Sequence, residues 1–279
     1  MRGQGETLFT LLLITAVTRT VTPEERQMSM SPSAVDDRFS GCQAEMREKV
    51  MGKGGLLEQE LKSNVAFREA WRSVKCGKTV PGGRQEHTLA MQVYSHAGKR
   101  FLKDFDSAVE SQGANSSVYS SSFPYKSLHF LLTEALRLLQ PNQCRTVSHS
   151  SEHRYGARVG EQVRFGRFVS TTTGESHAAG TLFRITSCAG VKAARAVVNA
   201  NRACSINETG LLIPPFEVFT VEDVKTHDNY TEITLNHTLF HSYHDCYLFP
   251  SSGDSVSSSM LVLLAASLCF CPCVLGHTL

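Results

Sequence analysis

Apolar residues recur at helical intervals through the first half of the chain. Leu57, Leu61 and Val65 lie four apart, and Phe67, Trp71 and Val74 continue a similar stripe, which places them on one face of a 3.6-residue helix. From His87 to Glu110 the positions Tyr94, Ala97, Phe101, Phe105 and Ala108 keep that spacing. Leu128, Leu131, Leu132, Ala135 and Leu139 predict a further helix, stopped by Pro141. Between them, Gln112 to Ser122 is rich in Ser and reads as a loop. Stripes of this kind are read as core faces. The second half changes period. Val163 to Ser170, Thr181 to Thr186, Ala194 to Val198, Phe216 to Val224 and Glu232 to Leu235 are short and rich in β-branched and aromatic residues, and predict strands. Helices first and strands after argue for a single α+β domain, placed at residues 23–250.

The two ends are patterned differently. Met1-Arg2 precedes the apolar run from Leu8 to Val17, too short to span a bilayer and typical of a cleaved signal peptide, placed at residues 1–22. At the other end, Ser251, Ser252 and Gly253 are small residues followed by a short polar spacer. An apolar tail then runs from Met260 to Leu275 with no basic residue behind it. This is the arrangement of a glycosylphosphatidylinositol attachment signal, placed at residues 251–279, with those three residues as candidate attachment points. The chain is therefore expected on the outer face of the plasma membrane, or secreted.

Composition agrees with export. Of nine Cys, Cys269, Cys271 and Cys273 lie in the apolar tail. Cys42, Cys76, Cys144, Cys188, Cys204 and Cys246 remain, widely spaced and without a C-x-x-C pair, which suggests disulfides rather than zinc. The sequence alone leaves fifteen pairings open. Asn115, Asn207, Asn229 and Asn236 each begin an N-x-S/T glycosylation acceptor. A formal net charge of +2 with 19% charged residues contains no basic tract, so nucleic acid is not an expected partner. His241-Ser242-Tyr243-His244-Asp245 is read as a solvated loop rather than a metal cluster, and no metal is expected.

Four stretches, in order, resemble one family. They are Phe123-Pro124-Tyr125-Lys126-Ser127-Leu128-His129-Phe130-Leu131-Leu132-Thr133, then Cys144-Arg145-Thr146-Val147, then Val163-Arg164-Phe165-Gly166-Arg167-Phe168-Val169-Ser170-Thr171-Thr172, and Leu211-Leu212-Ile213-Pro214-Pro215-Phe216-Glu217. Together they resemble the vertebrate arginine-specific ecto-mono-ADP-ribosyltransferases over about residues 36–248. The resemblance implies a helical half packed on two short antiparallel sheets that form an NAD cleft. It implies transfer of ADP-ribose from NAD, or NADP, to arginine of extracellular proteins, with NAD as substrate. That chemistry needs a carboxylate to offset a developing ribosyl cation. It also needs an Arg to grip the anionic dinucleotide, and a Ser on the strand beside the ribose.

Carried over position by position, the resemblance assigns the Ser to Ser170 and the acceptor-side carboxylate to Glu208, and counts Phe165 and His149 with Ser170 among the dinucleotide contacts. His149 stands where the family has its Arg, and Gly210 where it has its catalytic Glu. A His is mostly neutral at pH 7 and cannot fork onto a phosphate, and Gly has no side chain to offset a cation. Each loss removes about a hundred- to a thousand-fold in rate. Activity is therefore expected to be reduced or lost, the alternative being a catalytically silent, glycosylated surface binding protein or antigen on the same fold. A rescue by Arg145 or Arg154, with Glu208 taking the catalytic role, stays open. The resemblance also implies disulfides Cys42–Cys246 and Cys144–Cys188, leaving Cys76 and Cys204 as a candidate third.

Overall fold

The computed structural model describes residues 25–140, 143–174, 179–190 and 210–249. Among the described residues, seven helices occupy the first half: α1 (Gln43–Met51), α2 (Leu56–Ser63), α3 (Val65–Ser73), α4 (Gln85–His96), α5 (Lys99–Ser111), α6 (Ser116–Ser122) and α7 (Lys126–Leu139). The strands are β1 (Arg26–Gln27), β2 (Arg145–Ser151), β3 (Tyr155–Gly156), β4 (Gln162–Val163), β5 (Val169–Ser170), β6 (Thr181–Ser187), β7 (Leu212–Ile213), β8 (Glu217–Thr226) and β9 (Thr231–Phe240). The α+β class expected from the sequence is the class observed. Among the described residues, no helix is long and apolar enough to cross a membrane.

Several elements differ from their predicted form, for local reasons. The stripe from Leu57 to Val74 is two helices, because the Asn64 side chain accepts the Phe67 N–H at 3.0 Å and starts α3 afresh. Val65 consequently turns outward and is 54% exposed. The predicted loop at 112–122 contains α6, capped by Asn115 accepting from the Val118 N–H at 2.9 Å and anchored by buried Tyr119. The strand predicted over 163–170 is interrupted at Gly166, whose φ of +68° suits a residue without a Cβ. The stretch from Ala194 to Val198 lies outside the described residues.

The larger sheet has five strands in the order β2-β6-β9-β8-β4. Its β6–β9 pair is parallel, while β2–β6, β8–β9 and β4–β8 are antiparallel. The expected pair of short antiparallel sheets is thus one mixed sheet, plus the two-stranded antiparallel β5–β7 and a short parallel β1–β3.

The β5–β7 ribbon separates two cores. Phe168 and Leu212 pack with the helical core, among Phe39, Phe105 and Phe130. Val169, Leu211 and Ile213 pack with the sheet core, among Phe183, Phe219 and Leu235. Alternation along each strand sends neighbours to opposite faces.

Buried polar groups staple the layers. Glu60 accepts the N–H groups of Lys126 and Ser127, both at 2.9 Å, and so satisfies the start of α7. His87 accepts the Arg84 N–H at Nδ1 and donates from Nε2 to Glu134 at 2.7 Å, and Glu134 also takes Arg47. Arg164 and Asp36 form a fully buried pair at 2.6 Å. Cys42 is bridged to Cys246 and Cys144 to Cys188, with Cα atoms 6.0 Å and 4.0 Å apart, the two pairings that the resemblance implies. Cys76 is also disulfide-bonded; Cys204 lies outside the described residues.

The segment from His241 to Asp245 is not a freely solvated loop. The N–H groups of Tyr243 and His244 donate to Asp36 at 2.8 and 3.2 Å, and the His241 carbonyl accepts from Arg164 at 2.8 Å.

Candidate active site

The positions assigned by motif converge where β2 meets the β5–β7 ribbon. β2 reads Arg-Thr-Val-Ser-His-Ser-Ser and has little apolar alternation, yet all seven residues pair with β6, His149 opposite Phe183. Beyond β5 the chain is laced to β2. The Ser148 N–H donates to the Thr172 carbonyl at 2.8 Å and the Thr172 N–H returns to the Ser148 carbonyl at 2.7 Å. Ser170 is half-buried and sits opposite Leu212.

His149 faces inward. Its Nδ1–H donates to the Ser170 carbonyl at 2.9 Å. The ring stacks on Phe183 with centroids 6.0 Å apart and meets the edge of Phe165 at 6.1 Å. Burial holds the imidazole down at about 4, and the nearby Arg167 charge pushes the same way, against the pull of the Ser170 bond. At neutral pH the ring is an uncharged donor spent on a backbone carbonyl. Phe165 contacts Phe183 and Phe219 as well as His149, so it belongs to the sheet core's aromatic wall.

Gly210 is buried against β5. A Cβ built there lies 1.5 Å from the Thr171 carbonyl oxygen and 2.1 Å from its carbon. The approach is fixed by three bonds: the Thr171 N–H to the Leu211 carbonyl at 2.9 Å, the Leu211 N–H to Thr171 Oγ1 at 2.8 Å, and Thr171 Oγ1–H to the Leu211 carbonyl at 2.9 Å. No side chain fits at 210 unless this ribbon parts. Glu208, Cys204 and Asn207 lie outside the described residues.

Arg145 is set back from His149 along its own strand. Arg145 starts β2 opposite Ser187, four residues from His149 and so about 13 Å along the strand. The Arg154 carbonyl is bound to the Arg26 N–H in the turn before β3. The cation brought near His149 is Arg167, which the sequence reading passed over. Its Nε reaches Glu110 at 2.9 Å and its Nη1 lies 3.7 Å from Asp106. Burial raises Asp106 to about 7 even against that charge. Asp106 and Glu110 stand four apart on α5 and share a face, the one sequence signal that an internal cation was required.

Among the described residues, cavities of about 210, 340 and 550 Å³ occur, and none of these is lined by His149, Ser170 or Gly210. Among the described residues, two groups of side chains converge as metal sites do, Cys188 with Glu217 and His237, and Asp37 with Asp245 and Cys246. In both, the sulfur is held in a disulfide and is no thiolate ligand.

Residues 28–242 match the family model for NAD:arginine ADP-ribosyltransferase. The chain is 31% identical over 231 residues to ecto-ADP-ribosyltransferase 5 of Bos taurus, covering 75% of this chain and 70% of that protein. It is 31% identical over 224 residues to GPI-linked NAD(P)(+)–arginine ADP-ribosyltransferase 1 of Mus musculus, covering 71% of this chain and 65% of that one. A crystal structure of a variant of the eukaryotic mono-ADP-ribosyltransferase ART2.2 in complex with NADH superposes with a TM-score of 0.62 at 28% identity, covering 79% of this chain and 98% of that one. The matched segment spans both cores and the Cys144–Cys188 bridge, and on it this chain belongs to the NAD:arginine ADP-ribosyltransferase family.

Proposed function

We propose that this chain is an extracellular, surface-bound member of the family in which arginine ADP-ribosylation is strongly reduced or lost, so that it acts mainly as a glycosylated surface protein on a transferase scaffold. The observation that carries the reading is Gly210. The slot assigned to the catalytic carboxylate holds a residue with no side chain, pressed so closely on Thr171 that a Cβ would overlap the backbone. His149 supports it, since a neutral ring bonded to the Ser170 carbonyl offers no charge to a pyrophosphate. The residues present do not fit NAD turnover at either position, so no catalytic step is assigned to them.

The names of the relatives, ecto-enzymes and in one case GPI-linked, support the extracellular face, and the terminal patterns support a removed leader and a lipid anchor at Ser251, Ser252 or Gly253. Asn115 and Asn229 are exposed, as glycan carriers must be. Asn236 donates its Nδ2 to Glu222 at 2.8 Å, so a glycan there replaces that bond.

The test is transfer of labelled ADP-ribose from NAD to a small guanidino acceptor by the processed full chain, beside an active relative. The expected rate is at least about a thousand-fold below the relative's. A rate within tenfold of it sinks the proposal and points to a carboxylate and a cation recruited from elsewhere. Reinstalling the family residues as His149→Arg with Gly210→Glu is a weaker test, because the Glu must first part the ribbon at Thr171.

A further inference from the structure

The cavity of about 210 Å³ lies at the opposite end of β2 from His149, where the C-terminal end of α7 and the segment leading into α1 meet the ends of β6 and β9 and the start of β8. Ala189, two residues past the β6 position that pairs with Arg145, is part of its wall. The cavity is therefore about 13 Å along β2 from the candidate active site. The Cys42–Cys246 bridge ties down the chain beside Ser40 and Gln43, which also line it.

Three features of its lining converge. The first is positive charge in excess of its carboxylates. The Arg38 guanidinium lies over the rings of Phe216 and Phe240, 5.6 and 5.7 Å from their centroids. Its one hydrogen bond among the described residues is a long one, 3.5 Å to the Phe240 carbonyl, and it feels Asp245 only as a nearby charge. Arg137 leans on Glu134 at 3.3 Å, but that single carboxylate already serves Arg47 and His87. The second feature is Thr133, 3% exposed on α7, whose Oγ1 is buried without a hydrogen-bond partner among the described residues. A buried hydroxyl left unpaired is costly, and an orphan donor in the wall of a cavity is one that a ligand oxygen would satisfy. The third is apolar surface: Leu136, Pro214, Phe216 and Phe240. A few placed polar groups on an apolar wall are how small-molecule sites are built.

We propose that this cavity binds a small organic carboxylate, its carboxylate between Arg38 and Arg137 with one oxygen accepting from Thr133, and its flat apolar body against Phe216 and Phe240. One negative charge suits the site better than two, since Arg137 is partly neutralised by Glu134. A planar guanidinium matches a carboxylate in a forked, charge-assisted pair. The proposal stands apart from the reading of the NAD site and does not need it.

The probe is benzoate, with its neutral isostere benzamide, titrated into the processed full chain and followed by ligand-observed NMR. Saturable benzoate binding at millimolar concentration is expected, with no saturable binding of benzamide. Arg38→Met weakens benzoate about ten- to a hundred-fold and Thr133→Val about two- to tenfold. Arg158→Gln, which removes an arginine that is 85% exposed elsewhere, changes nothing. If Arg38→Met is not secreted, the near-isosteric Thr133→Val decides alone. Benzamide binding as well as benzoate, equal weakening by Arg158→Gln, or undiminished binding in a folded Arg38→Met or Thr133→Val overturns the proposal.

Discussion

The Asp36–Arg164 hub is fully buried and the floor joins a half-buried His149 to a buried Gly210, and the two treat charge in opposite ways. At the hub, Arg164 spends its donors on Asp36, on the His241 carbonyl at 2.8 Å, on the Met30 carbonyl at 2.8 Å and on the Ser31 carbonyl at 3.1 Å, under the Tyr243 ring. Burying two charges is costly and is tolerated only where every remaining donor and acceptor is met. At the floor, the residues that face inward are a neutral imidazole and a glycine. The difference teaches that the scaffold's charges and the site's charges are separable. The hub ties the N-terminal segment to the C-terminal one and holds the fold whether or not the floor does chemistry. A family match over residues 28–242 covers the hub and both cores, and its extent alone does not speak to residues 149 and 210.

Breaking the hub gives the largest effect. Arg164→Met strands the Asp36 carboxylate in a site with 0% exposure, at a cost of about 3–5 kcal/mol. That is a large share of the roughly 5–15 kcal/mol that holds most domains. Secretion should fall sharply, and whatever is secreted should unfold at a lower urea midpoint; an unchanged midpoint removes the hub from the account.

At the floor the effects are smaller and of packing origin. Gly210→Ala puts a methyl into the Thr171 backbone and is expected to cost about 1–3 kcal/mol by overpacking. Gly98→Ala, where nothing lies within 4 Å of the added Cβ, should stay within about 0.5 kcal/mol of the parent. Thermal melting compares the two, and equal melting points contradict the closed ribbon.

The smallest effect is a slope. His149 is lowered from 6.5 to about 4 in the folded chain, so between those pH values the unfolded chain binds the extra proton. Its contribution makes stability rise with pH from 4 to 6.5, at most about 1.4 kcal/mol per pH unit, and is flat above 6.5. Asp37 and Asp106, raised to about 8 and 7 by burial, act in the opposite direction over the same window. The whole-protein profile therefore hides the His. The difference between the parent and His149→Phe exposes it: the variant should lose stability less steeply on acidification. Parallel profiles mean the ring is solvated.

Sequence periodicity made the helical half legible wherever the stripe was continuous, as in α7. It failed where a single side chain reset the chain, as Asn64 and Asn115 do by capping, because a cap is worth as much as a short run of propensity. β2 was illegible, since its residues are mostly polar and its strand form comes from β6 and from the bridge between Ser148 and Thr172. The parallel β6–β9 pair is a matter of topology that no local pattern carries. Motif and order picked out candidate site positions, but the state of those residues was not legible. That His149 turns to the Ser170 carbonyl, that Gly210 is closed on Thr171, and that Arg167 is committed to α5 are all products of packing.

The most direct test of the central claim is calorimetric titration of NAD into the processed full chain near pH 7. A floor made of a neutral, bonded His149 and a closed Gly210 predicts no saturable heat up to millimolar NAD. Saturable binding in the micromolar range contradicts the account and means that the cleft opens and that another cation holds the dinucleotide.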